Sequence, residues 1–99
     1  MARDDIMAAK SDEDTVDATL RILLANTLGI DAARVARFDT GTELFGALPE
    51  FDSMAVAQLL TAMEERLGIL IEDDDLEAED LMTYGRLVAF AHRKALGAV

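Results

Sequence analysis

The feature that most constrains the fold is the segment from Ser53 to Leu67, in which apolar residues recur every three or four positions. This spacing places the apolar side chains on one stripe of an α-helix. Gly68 follows directly, as is typical of a helix end. The stripe consists of Val56, Leu59, Leu60, Met63 and Leu67.

Two further segments show the same helical period. The first is predicted to begin at a cap on Ser11 or Asp12 and to end at Gly29. The last begins after Thr83, and its final turns carry cations that complement the helix dipole. Their apolar stripes are Val16, Leu20, Leu23, Leu24 and Leu28 in the first helix, and Tyr84, Leu87, Val88 and Ala91 in the last.

The first two helices are separated by a long segment, from Ile30 to Glu50, that has no period. Its apolar residues predict a loop that is pinned to the core, and loops of this length often contain a short helix or serve a function. A short helical turn is expected near residues 76–81, and only residues 69–71 resemble a strand. The sequence therefore predicts an all-α bundle of three main helices plus one short helix, with a long loop between the first two helices.

One core is expected because a chain of 99 residues is too short for two domains of useful size. Residues 1–11 are predicted to be a loose N-terminal extension or a frayed helical lead-in, and residues 12–99 to form the domain. The core is expected to be adaptable, because aliphatic residues and Met line it with few polar anchors. Its predicted members are Leu20, Leu24, Leu28, Phe45, Leu48, Leu59, Leu60, Met63, Leu67, Ile71, Leu87, Val88 and Ala91.

The composition excludes several kinds of function. Nine basic and twenty acidic side chains give a net charge of −11, which repels nucleic acid and anionic membranes and attracts basic protein surfaces. The absence of cysteine excludes disulfides, thiolate metal sites and cysteine nucleophiles. No signal peptide or membrane span is recognisable, so we expect a cytoplasmic protein without membrane insertion. We also expect a monomer.

Ser53 is the candidate functional residue, since it follows Asp52 at the junction between the long loop and an amphipathic helix. A hydroxyl at such a junction is exposed and reachable. Asp52 or Ser53 can equally be only a helix cap, which is the more common meaning of Asp-Ser before an apolar run. Spacing alone leaves both interpretations open and favours the cap.

The segment Asp52–Ile69, with the sequence DSMAVAQLLTAMEERLGI, resembles the Asp-Ser-Leu motif and second helix of acyl carrier proteins. The resemblance extends from about Asp12 to Leu96, and it implies a core with space for part of an acyl chain. It implies that Ser53 carries a covalent 4'-phosphopantetheine, whose thiol holds acyl groups as thioesters for delivery to partner enzymes. It also implies that Asp52 helps the modifying enzyme to recognise the site, and that the chain is a carrier with no catalytic residues and no metal ligands.

Several residues depart from the common family pattern. Glu50 and Phe51 stand where a small residue and Gly are usual, and Met54 replaces Leu. The second helix is also less acidic than in many carriers of fatty acid biosynthesis. Since charge across a transient interface mainly sets partner choice, these departures imply a dedicated partner in a specialised lipid, polyketide or polysaccharide-linked pathway. The run from residue 49 to 56 is most similar to carriers of exosortase and exopolysaccharide gene clusters.

The resemblance also implies the partners. They are a phosphopantetheinyl transferase, an acyl-loading ligase or synthase, and acyl-transfer enzymes with basic docking surfaces. Acidic groups are expected to steer these enzymes and one methionine to give apolar contact beside the arm. The expected partner-binding residues are Glu50, Met54, Gln58, Glu64 and Glu65.

The sequence gives less support to functions other than that of a carrier. A hydrolase built on Ser53 and His92 lacks flanking glycines and a supporting sheet. A calcium loop that starts at Asp73 has Ala78 where Gly is needed and Tyr84 where the bidentate acid belongs. A non-covalent acidic helical adaptor and a peptidyl or D-alanyl carrier remain as alternatives.

Overall fold

The computed structural model describes the backbone of residues 2–95 and the side chains of residues 15–72 and 74–95. Four α-helices follow one another in this range: α1 (Ala2–Leu28), α2 (Ala32–Ala36), α3 (Ser53–Leu67) and α4 (Tyr84–Ala95). Two 3₁₀ turns, Asp73–Asp75 and Ala78–Leu81, lie between α3 and α4. Extended pairing in this range is limited to a single antiparallel bridge between Glu43 and Thr83, so the predicted all-α fold is confirmed.

The first helix starts earlier than the sequence predicted. The backbone is helical from Ala2 onward, and Ser11 and Asp12 lie inside α1. A capping residue must itself leave the helical conformation, so the expected start at Ser11 or Asp12 is wrong. No Gly or Pro occurs between residues 2 and 28 to interrupt the helix. The assignment of residues 1–11 to an extension outside the domain stays a prediction.

The other helix ends agree with the sequence. Gly29 and Gly68 adopt left-handed backbone conformations, with φ of 73° and 66°, and they end α1 and α3. At the start of α4 the Thr83 hydroxyl accepts a hydrogen bond from the Arg86 amide at 3.2 Å, which confirms the predicted cap.

The core lies between α1, α3 and α4. Six of the predicted core residues are buried: Leu20, Leu24, Leu59, Met63, Leu87 and Ala91. Six more are partly buried and pack against the core: Leu28, Leu48, Leu60, Leu67, Ile71 and Val88.

Phe45 was predicted to be a core residue, and this is wrong, because its side chain is 39% exposed. Leu44 is fully buried instead. Leu44 follows the bridge residue Glu43, whereas Phe45 begins the turn at residues 45–47, and their amides donate to the Met82 and Leu81 carbonyls at 2.8 and 3.1 Å. The chain turns away from the core at Phe45, so the side chain of Leu44 is buried and that of Phe45 stays at the surface.

The long loop is fixed against the start of α4 by its backbone. Tyr84 donates its amide to the Thr42 carbonyl at 2.8 Å, and Gly85 donates to the Thr40 carbonyl at 3.1 Å. Glycine is needed for this approach, since a Cβ at Gly85 would lie 2.8 Å from the Thr40 carbonyl oxygen. The loop is therefore held closely enough to present its end to α3 in a defined position.

Arg21 of α1 fastens the end of α2. Its guanidinium donates to the carbonyls of Val35 at 2.6 Å and Phe38 at 3.1 Å, and it stacks 4.8 Å from the centroid of the Tyr84 ring. The Tyr84 hydroxyl in turn donates to the Asp17 carboxylate, and burial together with this hydrogen bond raises the pKa of Tyr84. None of the helices in the described range is long and apolar enough to span a membrane.

Candidate functional site

Phe51 anchors the loop immediately before the candidate site. Its side chain is only 2% exposed, and its amide donates to the Leu48 carbonyl at 3.0 Å. Phe51 stands where Gly is usual in the family, and its bulky side chain is accommodated in the core. This burial was not predicted from the sequence, and it fixes the position of the two residues that follow.

Asp52 is the cap of α3. Its backbone is extended, and its carboxylate oxygen Oδ1 accepts a hydrogen bond from the Ala55 amide at 2.8 Å. Its carbonyl accepts the first intrahelical bond, from Val56 at 2.8 Å. Of the two residues that the sequence offered as the cap, the structure selects Asp52.

Ser53 is thereby left free for another role. It is the first residue of α3, and it is exposed. Within residues 15–72 and 74–95 its hydroxyl has no hydrogen-bond partner. The amides of Ser53 and Met54 lie in the first turn of the helix, where backbone N–H groups have no intrahelical acceptor and the dipole favours negative charge. These features fit the attachment of a phosphodiester.

The charge of Glu50 is balanced by an ion pair with Arg34, and its expected part in partner binding stays a prediction. Its carboxylate oxygen Oε2 lies 2.9 Å from Nη1 of Arg34 in α2. A hydrogen bond from its own backbone, followed by the bond from Arg34, holds the pKa of Glu50 below its ordinary value. The ion pair ties α2 to the loop that leads into α3.

The predicted partner-binding residues of α3 have two different environments. Met54, Gln58 and Glu65 are exposed, and their spacing places them on one face of the helix. Glu64 is half-buried, and its carboxylate accepts a hydrogen bond from the Ile71 amide at 2.8 Å. Glu64 therefore fixes the chain after α3, and the exposed face carries no charged residue before Glu65.

One concave region of about 360 Å³ lies on the exposed face of α3 and is lined by Ala57, Gln58, Thr61, Ala62 and Glu65. Two further concave regions lie near the N- and C-terminal halves of α3. The first, which we call the loop groove, has a volume of about 410 Å³ and is lined by residues 45–49 and 51–53, including Ser53 itself. The second, which we call the α3 cavity, has a volume of about 140 Å³ and is lined by Leu60, Glu64, Ile71, Glu72 and Leu76. The predicted room for an acyl chain in the core stays a prediction.

The acidic segment after α3 is engaged in local structure. The carboxylate of Asp75 accepts hydrogen bonds from the Glu72 amide at 2.9 Å and from Lys94 at 2.8 Å. The bond from Lys94, followed by the backbone bond, lowers the pKa of Asp75. Across the described side chains no three His, Cys, Asp or Glu residues come together as a potential metal site.

Comparison with known proteins agrees with this geometry. A family model described as the phosphopantetheine attachment site matches residues 18–91. Among solved structures the chain is similar to a holo acyl carrier protein from Nitrosomonas europaea, with 32% identity and a TM-score of 0.69. The similarity covers 79% of this chain and 92% of that protein.

A four-helix fold that presents a free serine at a helix start, together with these matches, defines a carrier of the phosphopantetheine type. The chain belongs to the acyl carrier protein family. Its cofactor is covalently bound 4'-phosphopantetheine, and proteins of this family act together with phosphopantetheinyl transferases and acyl-handling enzymes. The predicted family, fold class and cofactor are thus confirmed.

Proposed function

We propose that Ser53 is the attachment residue for 4'-phosphopantetheine, and that the chain carries acyl groups without catalytic activity of its own. The observation that supports this proposal is that Asp52, and not Ser53, caps the start of α3. Asp52 accepts the capping hydrogen bond from Ala55 at 2.8 Å, and the neighbouring Ser53 hydroxyl remains exposed and unbonded among the described residues. A serine that was needed as a cap would have its oxygen occupied.

Each residue of the junction has a distinct part in this function. Ser53 supplies the hydroxyl oxygen of the phosphodiester and loses its proton, while the pyrophosphate bond of the donor coenzyme A breaks and adenosine 3',5'-bisphosphate leaves. Asp52 holds the first turn of α3, and Phe51 holds the loop against the core. The first-turn amides of Ser53 and Met54 moderate the negative charge of the phosphodiester. When bound, the cofactor supplies a thiol that holds acyl groups as thioesters.

The outer face of α3 supports a docking role beside the arm. Met54 is 71% exposed, and residues 53–63 carry no charged side chain, so the part of this face that follows Ser53 along α3 is uncharged. Glu65 lies farther along the same face and attracts basic enzyme surfaces. The proposed partners are the transferase, an acyl-loading ligase or synthase, and acyl-transfer enzymes of a specialised lipid, polyketide or polysaccharide-linked pathway.

The proposed docking role of the outer face of α3 is tested by reversing the charge of Glu65. We expect Glu65→Lys to lower the kcat/KM of a phosphopantetheinyl transferase at low salt, with a smaller effect at high salt, because screening weakens steering. Glu79→Lys is the matched control, since Glu79 is 74% exposed and its substitution by Lys makes the same change in net charge. Equal effects of the two variants would assign the attraction to total charge and contradict a localised face.

The attachment residue is tested by intact mass. Wild type, Ser53→Ala and Ser11→Ala are incubated with coenzyme A and a broad-specificity phosphopantetheinyl transferase. Ser11→Ala controls for the only other serine of the chain. We expect wild type and Ser11→Ala to gain one phosphopantetheine group and Ser53→Ala to gain none. A folded wild type that gains no mass with several transferases favours the non-covalent adaptor instead.

A further inference from the structure

The loop groove begins at the proposed attachment residue. Ser53 forms part of its lining, and its volume of about 410 Å³ extends away from α3 along the turn at residues 45–49. Gly46 makes this turn possible with a φ of 88°. Phe45 also lines the groove, and the residue is 39% exposed although its amide is fixed by a hydrogen bond to the Leu81 carbonyl. A partly exposed aromatic residue thus lies in the same groove as Ser53.

We propose that the phosphopantetheine arm on Ser53 rests in the loop groove, against Phe45 and the turn that follows it. This inference depends on Ser53 being the attachment residue. It adds a docking place for the arm on the loop side of α3, and it gives Phe45 the role of a positioning residue for the cofactor.

The groove offers the two kinds of contact that the arm requires. Pantetheine contains a dimethyl group and methylene units, and the side chains of Phe45, Leu48 and Pro49 provide apolar surface for them. Pantetheine also contains two amides. The backbone carbonyls of Phe45, Gly46 and Ala47 accept no hydrogen bond from any described residue, so they are free to accept from those amides.

Because the arm would be covalently attached at Ser53, weak contacts with the loop groove are enough to hold it there. A group attached at Ser53 meets the adjacent surface at an effective concentration in the millimolar range or above, as short flexible linkers do. Contacts that would be too weak to retain a free ligand therefore hold an attached one for part of the time. The attachment point and the groove are continuous, so the arm reaches this surface without any rearrangement of the helices.

The α3 cavity is a poorer place for the arm. Its volume of about 140 Å³ is smaller, and Ser53 does not belong to its lining. Glu64 and Glu72 contribute carboxylates to it, and displacing water from them costs free energy. The Ile71 amide, which would be a donor to the arm, is already bound to the Glu64 carboxylate at 2.8 Å.

The test uses the protein with and without its arm, each verified by intact mass. Amide chemical shifts are compared between the two forms, and nuclear Overhauser contacts are measured from the dimethyl group of the arm. We expect the larger shift changes beyond residues 52–55 at Gly46 and Ala47, and contacts between the dimethyl protons and the Phe45 ring. The same spectra are recorded for Phe45→Ala and for Leu70→Ala, a matched truncation of a residue that is 66% exposed outside the groove.

Phe45→Ala should remove most of the shift changes at Gly46 and Ala47, whereas Leu70→Ala should preserve them. Contacts to Ile71 or Leu76 in place of Phe45 would overturn the inference, as would an arm whose attachment shifts only the amides next to Ser53. In both cases the attached mass leaves the proposed function standing. A wild type that gains no arm contradicts both proposals.

Discussion

The assignment of capping to Asp52 and of attachment to Ser53 predicts that two neighbouring substitutions change stability by different amounts. Asp52→Ala removes the acceptor that lies 2.8 Å from the Ala55 amide, which should cost about 0.5–2 kcal/mol of unfolding free energy. At a typical cost of about 1 kcal/mol, the melting temperature of a domain of this size falls by roughly 4–8 °C. Ser53→Ala removes an exposed hydroxyl without a described partner, so its effect should stay within about 0.5 kcal/mol.

Thermal unfolding of the protein without its arm, followed by far-UV circular dichroism, measures both effects. Asp52→Asn is the control, because asparagine caps a helix about as well as aspartate and should retain most of the stability. The transferase assay on the same samples reports attachment separately. Equal destabilisation by Ser53→Ala and Asp52→Ala would refute the division of roles and make Ser53 part of the cap.

Three further substitutions test how the site is supported. Gly85→Ala should destabilise the fold by about 1 kcal/mol in chemical denaturation, because overpacking against the Thr40 backbone costs about 1–3 kcal/mol and the helix preference of alanine returns about 1 kcal/mol. Arg21→Met should cost about 2–4 kcal/mol in the same assay, since it leaves two backbone carbonyls without their charged donor; an unchanged midpoint would contradict the fastening role. Lys94→Met should have a lower melting temperature than wild type at pH 7, because it removes the lysine that bonds the ionised Asp75 carboxylate and lowers its pKa. The difference in melting temperature should disappear as the pH falls below about 4 and Asp75 becomes protonated in both proteins. A difference that persists at low pH would show that the lysine contributes through its aliphatic chain instead.

Local patterns predicted the elements whose period is strong and whose ends carry clear signals. The stripe of α3, the glycine after it and the cap at Thr83 all follow from neighbours in sequence. The early start of α1 was missed because a potential cap at Ser11 or Asp12 acts as one only if the preceding residues leave the helix. Sequence spacing does not decide that condition.

Tertiary contacts determined the rest. Phe45 and Phe51 are both aromatic residues of the long loop, yet one is 39% exposed and the other 2%. Their difference depends on pairing of the loop with the segment before α4, which no local pattern shows. The hydrogen bond from Arg21 to the Val35 carbonyl joins α1 to α2, and no local sequence pattern predicts it.

The candidate site was found through resemblance, since spacing alone favoured a simple cap at Asp52 or Ser53. The structure added the separation of the two residues' roles. It also showed that Glu64 is bonded to the Ile71 amide and that Glu50 is paired with Arg34. The part of these two acids in partner binding stays a prediction.

The central claim is that Ser53 itself bears the arm, and fragmentation mass spectrometry of the modified wild-type protein tests it most directly. The protein is loaded by a transferase, cleaved into peptides, and the residue that carries the added phosphopantetheine mass is read from the fragment series. The account predicts that all of the added mass lies on Ser53 in the peptide that contains Asp52 and Met54. Added mass on Ser11, on a threonine or on any other residue would contradict it.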